Sequence, residues 1–259
     1  RSTLFPYTTL FRSGSAYDPG EPVIQELSLK CPPGTVTALV GPSGGGKSTL
    51  ARLIARFWDA DSGTVLVNGR DVRDQPSREL LSSMSLVFQD VMLSTDTVRA
   101  NIALGNADAT ETEIEEAARA ACIHDRIMQL PDGYDTIIGE GAHLSGGEAQ
   151  RLTIARAFLA ASPILILDEA TAQADSHSER LIQQAISNLA QKRTVIVIAH
   201  RLSTIQGVDQ IAVIDTGRLV ELGTHDDLLA QDGPYARLWR NQTNIVHALE
   251  GLRGKEQAC

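Results

Sequence analysis

Eight consecutive residues, Gly41-Pro42-Ser43-Gly44-Gly45-Gly46-Lys47-Ser48, spell a complete G-x-x-x-x-G-K-S between an apolar run, TVTALV (35–40), and a helical run from Ser48 to Phe57. Glycines let successive backbone N–H groups turn inward around phosphate oxygens. The helix that follows points the positive end of its dipole at the same anion. Lys47 is placed to reach the β- and γ-phosphates, and the Ser48 hydroxyl to ligate magnesium. A nucleoside triphosphate is the ligand this loop implies. A second element, Ile164-Leu165-Ile166-Leu167-Asp168-Glu169, has the pattern of a buried strand ending in two carboxylates. Burying charge is costly without a partner. A divalent cation is that partner: Asp168 helps to hold magnesium, while Glu169 orients and deprotonates an attacking water. The third element, Leu144-Ser145-Gly146-Gly147-Glu148, precedes a helical pattern from Ala149 to Ala161. As local structure, Ser145 and Glu148 form a capping box. As chemistry, two glycines beside a helix N-terminus make another anion site, and one triphosphate does not need two from a single subunit.

These residues must be positioned by strands and helices that the sequence also foreshadows. Short apolar, β-branched runs recur at TVTALV (35–40), TVLV (64–67), SLVF (85–88), ILIL (164–167), TVIVIA (194–199) and IAVI (211–214). They alternate with longer helical patterns, which predicts an α/β fold with a largely parallel sheet. Thr110 to Ile123 opens with a capping box, Thr110 with Glu113, and carries apolar residues at Ile114, Ala117, Ala118 and Ala121. The region from about 95 to 160 is almost wholly helical in pattern and reads as a subdomain inserted between strands.

Composition narrows the classes further. The 259 residues carry 23 Lys+Arg against 32 Asp+Glu, a formal net charge of −9. That argues against a protein that wraps nucleic acid, which relies on excess Lys and Arg. No apolar stretch approaches the roughly 18 to 20 residues needed to span a bilayer. Cys31, Cys122 and Cys259 are odd in number and lack metal-ligand spacing, so they read as free thiols in a reducing compartment.

Taken in order, the motifs resemble the nucleotide-binding domain of ATP-binding cassette (ABC) transporters, whose signature is LSGGQ or LSGGE. The resemblance covers about Tyr17 to Asn241. It implies an ABC-type P-loop NTPase: an α/β fold with a mostly parallel core sheet, an antiparallel β subdomain and an inserted helical subdomain. It further implies Mg²⁺-dependent ATP hydrolysis by two domains paired head to tail, the signature of one closing over ATP held by the other. Tyr17 in AYDPGEPV resembles the aromatic that stacks on adenine, and Thr49 joins Gly41 to Ser48 in holding the nucleotide. Gln89 in VFQD resembles the glutamine that shares the magnesium and links the site to the transport domains. Ser145, Gly146, Gly147 and Glu148 are the signature residues that meet the partner's ATP. Asp175 resembles the aspartate of the loop that crosses the dimer, and His200 in IAHRLS the switch histidine on the γ-phosphate. LPDGYDTIIGE (130–140) and IAHRLSTI (198–205) are similar to domains fused behind a transmembrane region in export-type half-transporters. The implied partners are therefore a second nucleotide-binding domain and N-terminal membrane spans, at the cytoplasmic face of a membrane. FQDVMLSTDTVRANI and the loop around Gln173 are similar to members that handle iron siderophores.

The sequence also departs from the family pattern. Ala172, Gln173 and Ala174 of ATAQAD differ from the usual ATSALD-like string, and GEGAHLSGGE is one residue shorter than the export-type pattern between Glu140 and Leu144. Thr3 to Ser13, TLFPYTTLFRS, resembles a sequencing-library adapter translated in frame. The expected organisation is thus a tail over 1–13, an ATPase domain over 14–245 with its helical subdomain, and a frayed end over 246–259. Two other functions compete. Soluble ABC-type ATPases include chromosome-type relatives, which insert a long coiled coil between phosphate loop and signature; here Lys47 and Ser145 are only 98 residues apart. Ribosome-acting relatives carry two cassettes in tandem, and one is present here. A P-loop kinase or GTPase would leave LSGGE and His200 unexplained.

Overall fold

The computed structural model describes residues 9–18, 21–88, 91–139, 143–168, 176–199 and 201–243, with backbone alone for 9–18, 21, 22, 176 and 177. In chain order the elements are β1 (Thr9–Asp18), β2 (Glu21–Cys31), β3 (Val36–Val40), α1 (Lys47–Ile54), β4 (Ser62–Val67), β5 (Arg70–Asp71), α2 (Ser77–Ser82), β6 (Met84–Val87) and α3 (Val98–Ala103). There follow α4 (Glu111–Ala120), α5 (His124–Ile127), α6 (Gly146–Ala160), β7 (Ile164–Asp168), α7 (Ser176–Ala190), β8 (Thr194–Ile198), β9 (Gln210–Asp215), β10 (Arg218–Gly223) and α8 (His225–Ala230). They belong to two compact units. One is made of 74–195, the other of 9–73 together with 196–243, and β8 runs from the first into the second.

The discontinuous unit contains an antiparallel sheet in the order β2-β1-β4-β5. Period-two burial explains β2: Leu27, Leu29 and Cys31 are buried while Ser28 and Lys30 are exposed. Glu26, at a left-handed φ of 48°, shifts the phase between buried Ile24 and Leu27. Pairing of β1 begins at Thr9, opposite Cys31, and Leu10 lies opposite both Lys30 and Leu66. Residues 9–13 therefore sit inside the sheet, ahead of the domain start expected at Gly14. Their Thr, Leu and Phe content suits an extended strand, and a neighbour on each side supplies its ladder.

In the same unit β3 runs parallel to β9, from Thr37↔Gln210 to Val40↔Val213, and β10 is antiparallel to β9. The strand β3 is continuously buried from Thr37 to Val40 rather than alternating, as a parallel strand covered on both faces is. Ala38, Val40, Ile211, Val213, Leu228 and Tyr235 form its core. At the end of β8, Ala199 donates its N–H to Leu39 O (3.1 Å), which holds that strand beside β3.

The continuous unit is built around α6, which packs against α3, α4, α7 and β6. There β6 and β7 pair in parallel from Met84↔Ile164 to Val87↔Leu167, and Thr194 N–H bonds Pro163 O (3.0 Å) at the start of β8. The capping box at Thr110 forms: Thr110 N–H donates to Glu113 Oε2 (2.7 Å) and Glu113 N–H to Thr110 Oγ1 (3.3 Å). The helices α3 to α6 fall within the stretch, about 95 to 160, in which an inserted helical subdomain was expected, and α7 lies beyond it.

Candidate functional site

The buried strand β3 delivers the chain to the phosphate loop, and the loop is shaped by what surrounds its glycines. Gly41 has φ 138°, and a Cβ there would run into the Ile214 carbonyl of β9. Gly46, at φ 101°, is the N-cap of α1, and a Cβ on it would stand 2.7 Å from Ile24 Cδ1. Only a residue without a side chain fits either place. The turn is braced by Gly45 N–H to Pro42 O (3.2 Å) and by Gly217 N–H to Gly45 O (3.0 Å). Its mouth, Pro42 to Gly44, is exposed, and its base, Gly45 to Lys47, is buried.

Lys47 opens α1 and is 4% exposed. Its ammonium donates to Gly41 O (3.0 Å) and Pro42 O (2.7 Å), which folds the side chain back over the loop. Gly46 brings no side-chain oxygen to the first turn of α1, so backbone N–H groups there are directed at whatever anion the loop receives. Ser48 is half-buried in that turn and Thr49 is buried behind it.

The other two motifs lie in the continuous unit. All five residues of β7 are buried, and Asp168 at its end is 9% exposed. The signature caps α6: Glu148 N–H donates to Ser145 Oγ (3.3 Å), and Ser145 N–H to Glu148 Oε2 (2.9 Å). Ser145 and Gly146 are exposed, and a Cβ on Gly146 would touch nothing within 4 Å. The remaining oxygen of Glu148, Oε1, accepts from Arg126 Nε of α5 at 2.8 Å. Burial pushes the Glu148 carboxyl up, but the Ser145 N–H and the Arg126 guanidinium outweigh it and hold the group below the usual carboxylate range. The capping box read from the sequence is therefore formed, and it leaves the helix end with an open approach at Ser145 and Gly146.

Of the remaining expected residues, Tyr17 lies in β1, whose backbone pairs Ala16 with Pro22 and Asp18 with Glu21. Gln89, Glu169, Asp175 and His200 fall outside the described residues. Two further residues, both in the continuous unit, have no signal in the motif pattern. Asn101 is fully buried in α3; its Nδ2 donates to Ser94 O (3.0 Å) and Thr97 O (3.1 Å), and its Oδ1 accepts from Ser94 N (2.9 Å). Arg156 of α6 donates through Nε to Asn101 O (3.0 Å) and through Nη1 to Met92 O (3.4 Å). An asparagine between apolar Ala100 and Ile102 is the hint of this hub in the sequence.

A glycine-rich loop between a parallel strand and a helix, with the LSGGE turn capping a second helix, marks a P-loop ATPase of the ABC type, and residues 24–172 match the ABC transporter family model. The chain belongs to that family. It is 57% identical over 241 residues to the mycobactin import ATP-binding/permease protein IrtA of Mycobacterium tuberculosis, covering 92% of this chain and 28% of that protein. It is 50% identical over 238 residues to the ATP-dependent lipid A-core flippase of Hahella chejuensis, covering 91% of this chain and 41% of that one. Among solved structures, a bacterial Atm1-family ABC exporter with ATP bound superposes with a TM-score of 0.86 at 44% identity, covering 93% of this chain and 42% of the exporter. The chain thus spans less than half the length of these relatives.

Proposed function

We propose that the chain is the ATP-hydrolysing domain of a membrane transporter, working as a pair with a second such domain and driving membrane spans that lie outside it. The observation that carries this reading is the loop from Gly41 to Ser48, packed so closely on β9 and β2 that a Cβ at Gly41 would strike the Ile214 carbonyl and one at Gly46 the Ile24 side chain, with the Lys47 ammonium folded over it. The Ser48 hydroxyl is the kind of hard oxygen donor magnesium takes, and the family resemblance adds the Asp168 carboxylate and the Gln89 amide oxygen, donors of the same chemistry. When bound, Mg²⁺ neutralises charge on the β- and γ-phosphate oxygens.

The chain's own groups do the rest. Loop amides and Lys47 hold the triphosphate, Thr49 backs them, and Tyr17 stacks on adenine. Glu169 orients the attacking water and accepts its proton, while His200 contacts the γ-phosphate. The Ser145 to Glu148 turn closes over ATP held by the opposing domain, with Asp175 in the loop that crosses between them. Hydrolysis reopens the pair and the spans move with it. Among the described residues no helix is long and apolar enough to cross a membrane. Likeness to ATP-binding/permease proteins supports a domain docked at the cytoplasmic face. Identity to the mycobactin-import protein, 57% against 50% for the lipid flippase, supports siderophores as the cargo class, recognised by the spans.

Light scattering with ATP and Mg²⁺ tests the pairing. Glu169→Gln keeps size and hydrogen-bonding capacity but removes the base, so closed pairs should accumulate. Lys47→Ala should stay monomeric, Ser145→Arg should bind ATP without pairing, and parent turnover per chain should rise with protein concentration. A Glu169→Gln chain that remains monomeric at high concentration with ATP refutes the mechanism.

A further inference from the structure

The fourth position of the signature turn is a carboxylate, which is electrically the wrong group to present to a triphosphate. A helix N-terminus carries roughly half a positive charge, so an ionised Glu148 at N3 more than cancels it. One oxygen of that carboxylate is occupied by the Ser145 N–H of its own cap. The other is held by Arg126, from a helix 22 residues earlier, through Nε at 2.8 Å. The pair is half-buried, with the Arg126 side chain 32% and the Glu148 side chain 18% exposed, so water screens it less than a surface pair. Ser145 and Gly146 beside it are open to an approaching ligand.

We infer that Arg126 is a positioning residue of the ATP-closing surface, its ion pair with Glu148 keeping the signature turn positive toward the triphosphate held by the opposing chain. The inference rests on the proposed pairing and adds to it a residue outside every motif. Arg126 touches no phosphate; it acts through Glu148, restoring the sign of charge that the carboxylate removes.

The test measures the dissociation constant of the ATP-induced pair, in the full chain carrying Glu169→Gln, by light scattering with ATP and Mg²⁺. Adding Arg126→Ala should weaken pairing about five- to tenfold, the size expected for a half-buried charge at a helix end. Arg126→Lys, which keeps the charge, should stay within about twofold of the parent pair. The decisive variant is Arg126→Ala with Glu148→Gln: glutamine can still accept from Ser145 N–H, needs no counter-charge, and should bring pairing to within about twofold of Glu148→Gln alone. If Arg126→Ala pairs like the parent, or if its defect persists undiminished beside Glu148→Gln, Arg126 merely braces α5 against α6 and the inference is overturned. Ser145→Arg in the same background separates the two failures. If it too pairs normally, the signature is not a closing surface and the proposed function falls with the inference.

Discussion

Replacing Asn101 probes how the signature helix is tied to the segment that follows Gln89. Asn101→Ala deletes three bonds of good length, to Ser94 N (2.9 Å), Ser94 O (3.0 Å) and Thr97 O (3.1 Å). Each contributes about 1 kcal/mol net. Ser94 is itself exposed, so water can reach its freed backbone groups, and the full penalty of burying them unpaired does not apply. The expected loss is therefore about 2–4 kcal/mol, or a melting point lower by roughly 5–10 °C for a chain of this length. Asn101→Asp should cost more than alanine, because it turns the Nδ2 donor into an oxygen facing the carbonyls of Ser94, Thr97 and, at 3.4 Å, Asp96. Calorimetry gives the melting points, and hydrogen exchange should show 92–97 losing protection before α6 does. ATP turnover should fall with it, since Arg156 Nη1 holds Met92 O from the signature helix. Melting within about 1 °C of the parent for both variants would refute the hub, given that one lost bond alone should move it by more.

Three further outcomes follow from the loop and the strands. Removing residues 1–13 deletes the part of β1 paired from Thr9↔Cys31 to Ser13↔Leu27 on one side and from Leu10↔Leu66 to Ser13↔Gly63 on the other; with about five ladder bonds at 0.5–1.5 kcal/mol each, thermal melting should drop clearly, and an unchanged midpoint would show that β1 begins later. Gly41→Ala would push a Cβ into the Ile214 carbonyl and should lower ATP affinity by at least about tenfold in calorimetric titration; wild-type affinity would mean the loop is not braced against β9. Tyr17→Ala should weaken ATP and GTP binding together while Tyr17→Phe and Tyr17→Trp are tolerated, because stacking uses the ring face and not a base-specific contact; selective loss of ATP alone would rule that role out.

The strands of the two units were legible because each is a short, mostly apolar and largely buried run: TVTALV and TVIVIA contain β3 and β8, while ILIL and IAVI lie within β7 and β9. Helix starts were legible where a hydroxyl and a carboxylate stand three apart, as at Thr110 and Ser145. β10 escaped because RLVELG leaves Val220 and Leu222 exposed, 44% and 46%, so its apolar residues point to no core. β1 escaped because its first half, Thr9 to Ser13, lies in the stretch that resembles a translated adapter and so reads as a tail. The phosphate loop could be read directly, since its glycines answer local backbone demands. Arg126 could not, because nothing local to α5 requires a cation; its reason is a carboxylate elsewhere in the chain.

The unit that carries the phosphate loop is made of two chain segments, and that has a consequence for how the molecule is born. Val36 at the head of β3 donates to Asp209 beside β9 across 173 residues. At synthesis rates of about 5–20 residues per second, β3 and its glycine loop wait roughly 10–35 s for β9 to emerge. The continuous unit, with its own strands and helices between them, is complete before that partner appears. A nascent chain should therefore acquire protease-resistant structure over 74–195 first, while the ATP loop stays open to misfolding until the last quarter of the chain leaves the ribosome.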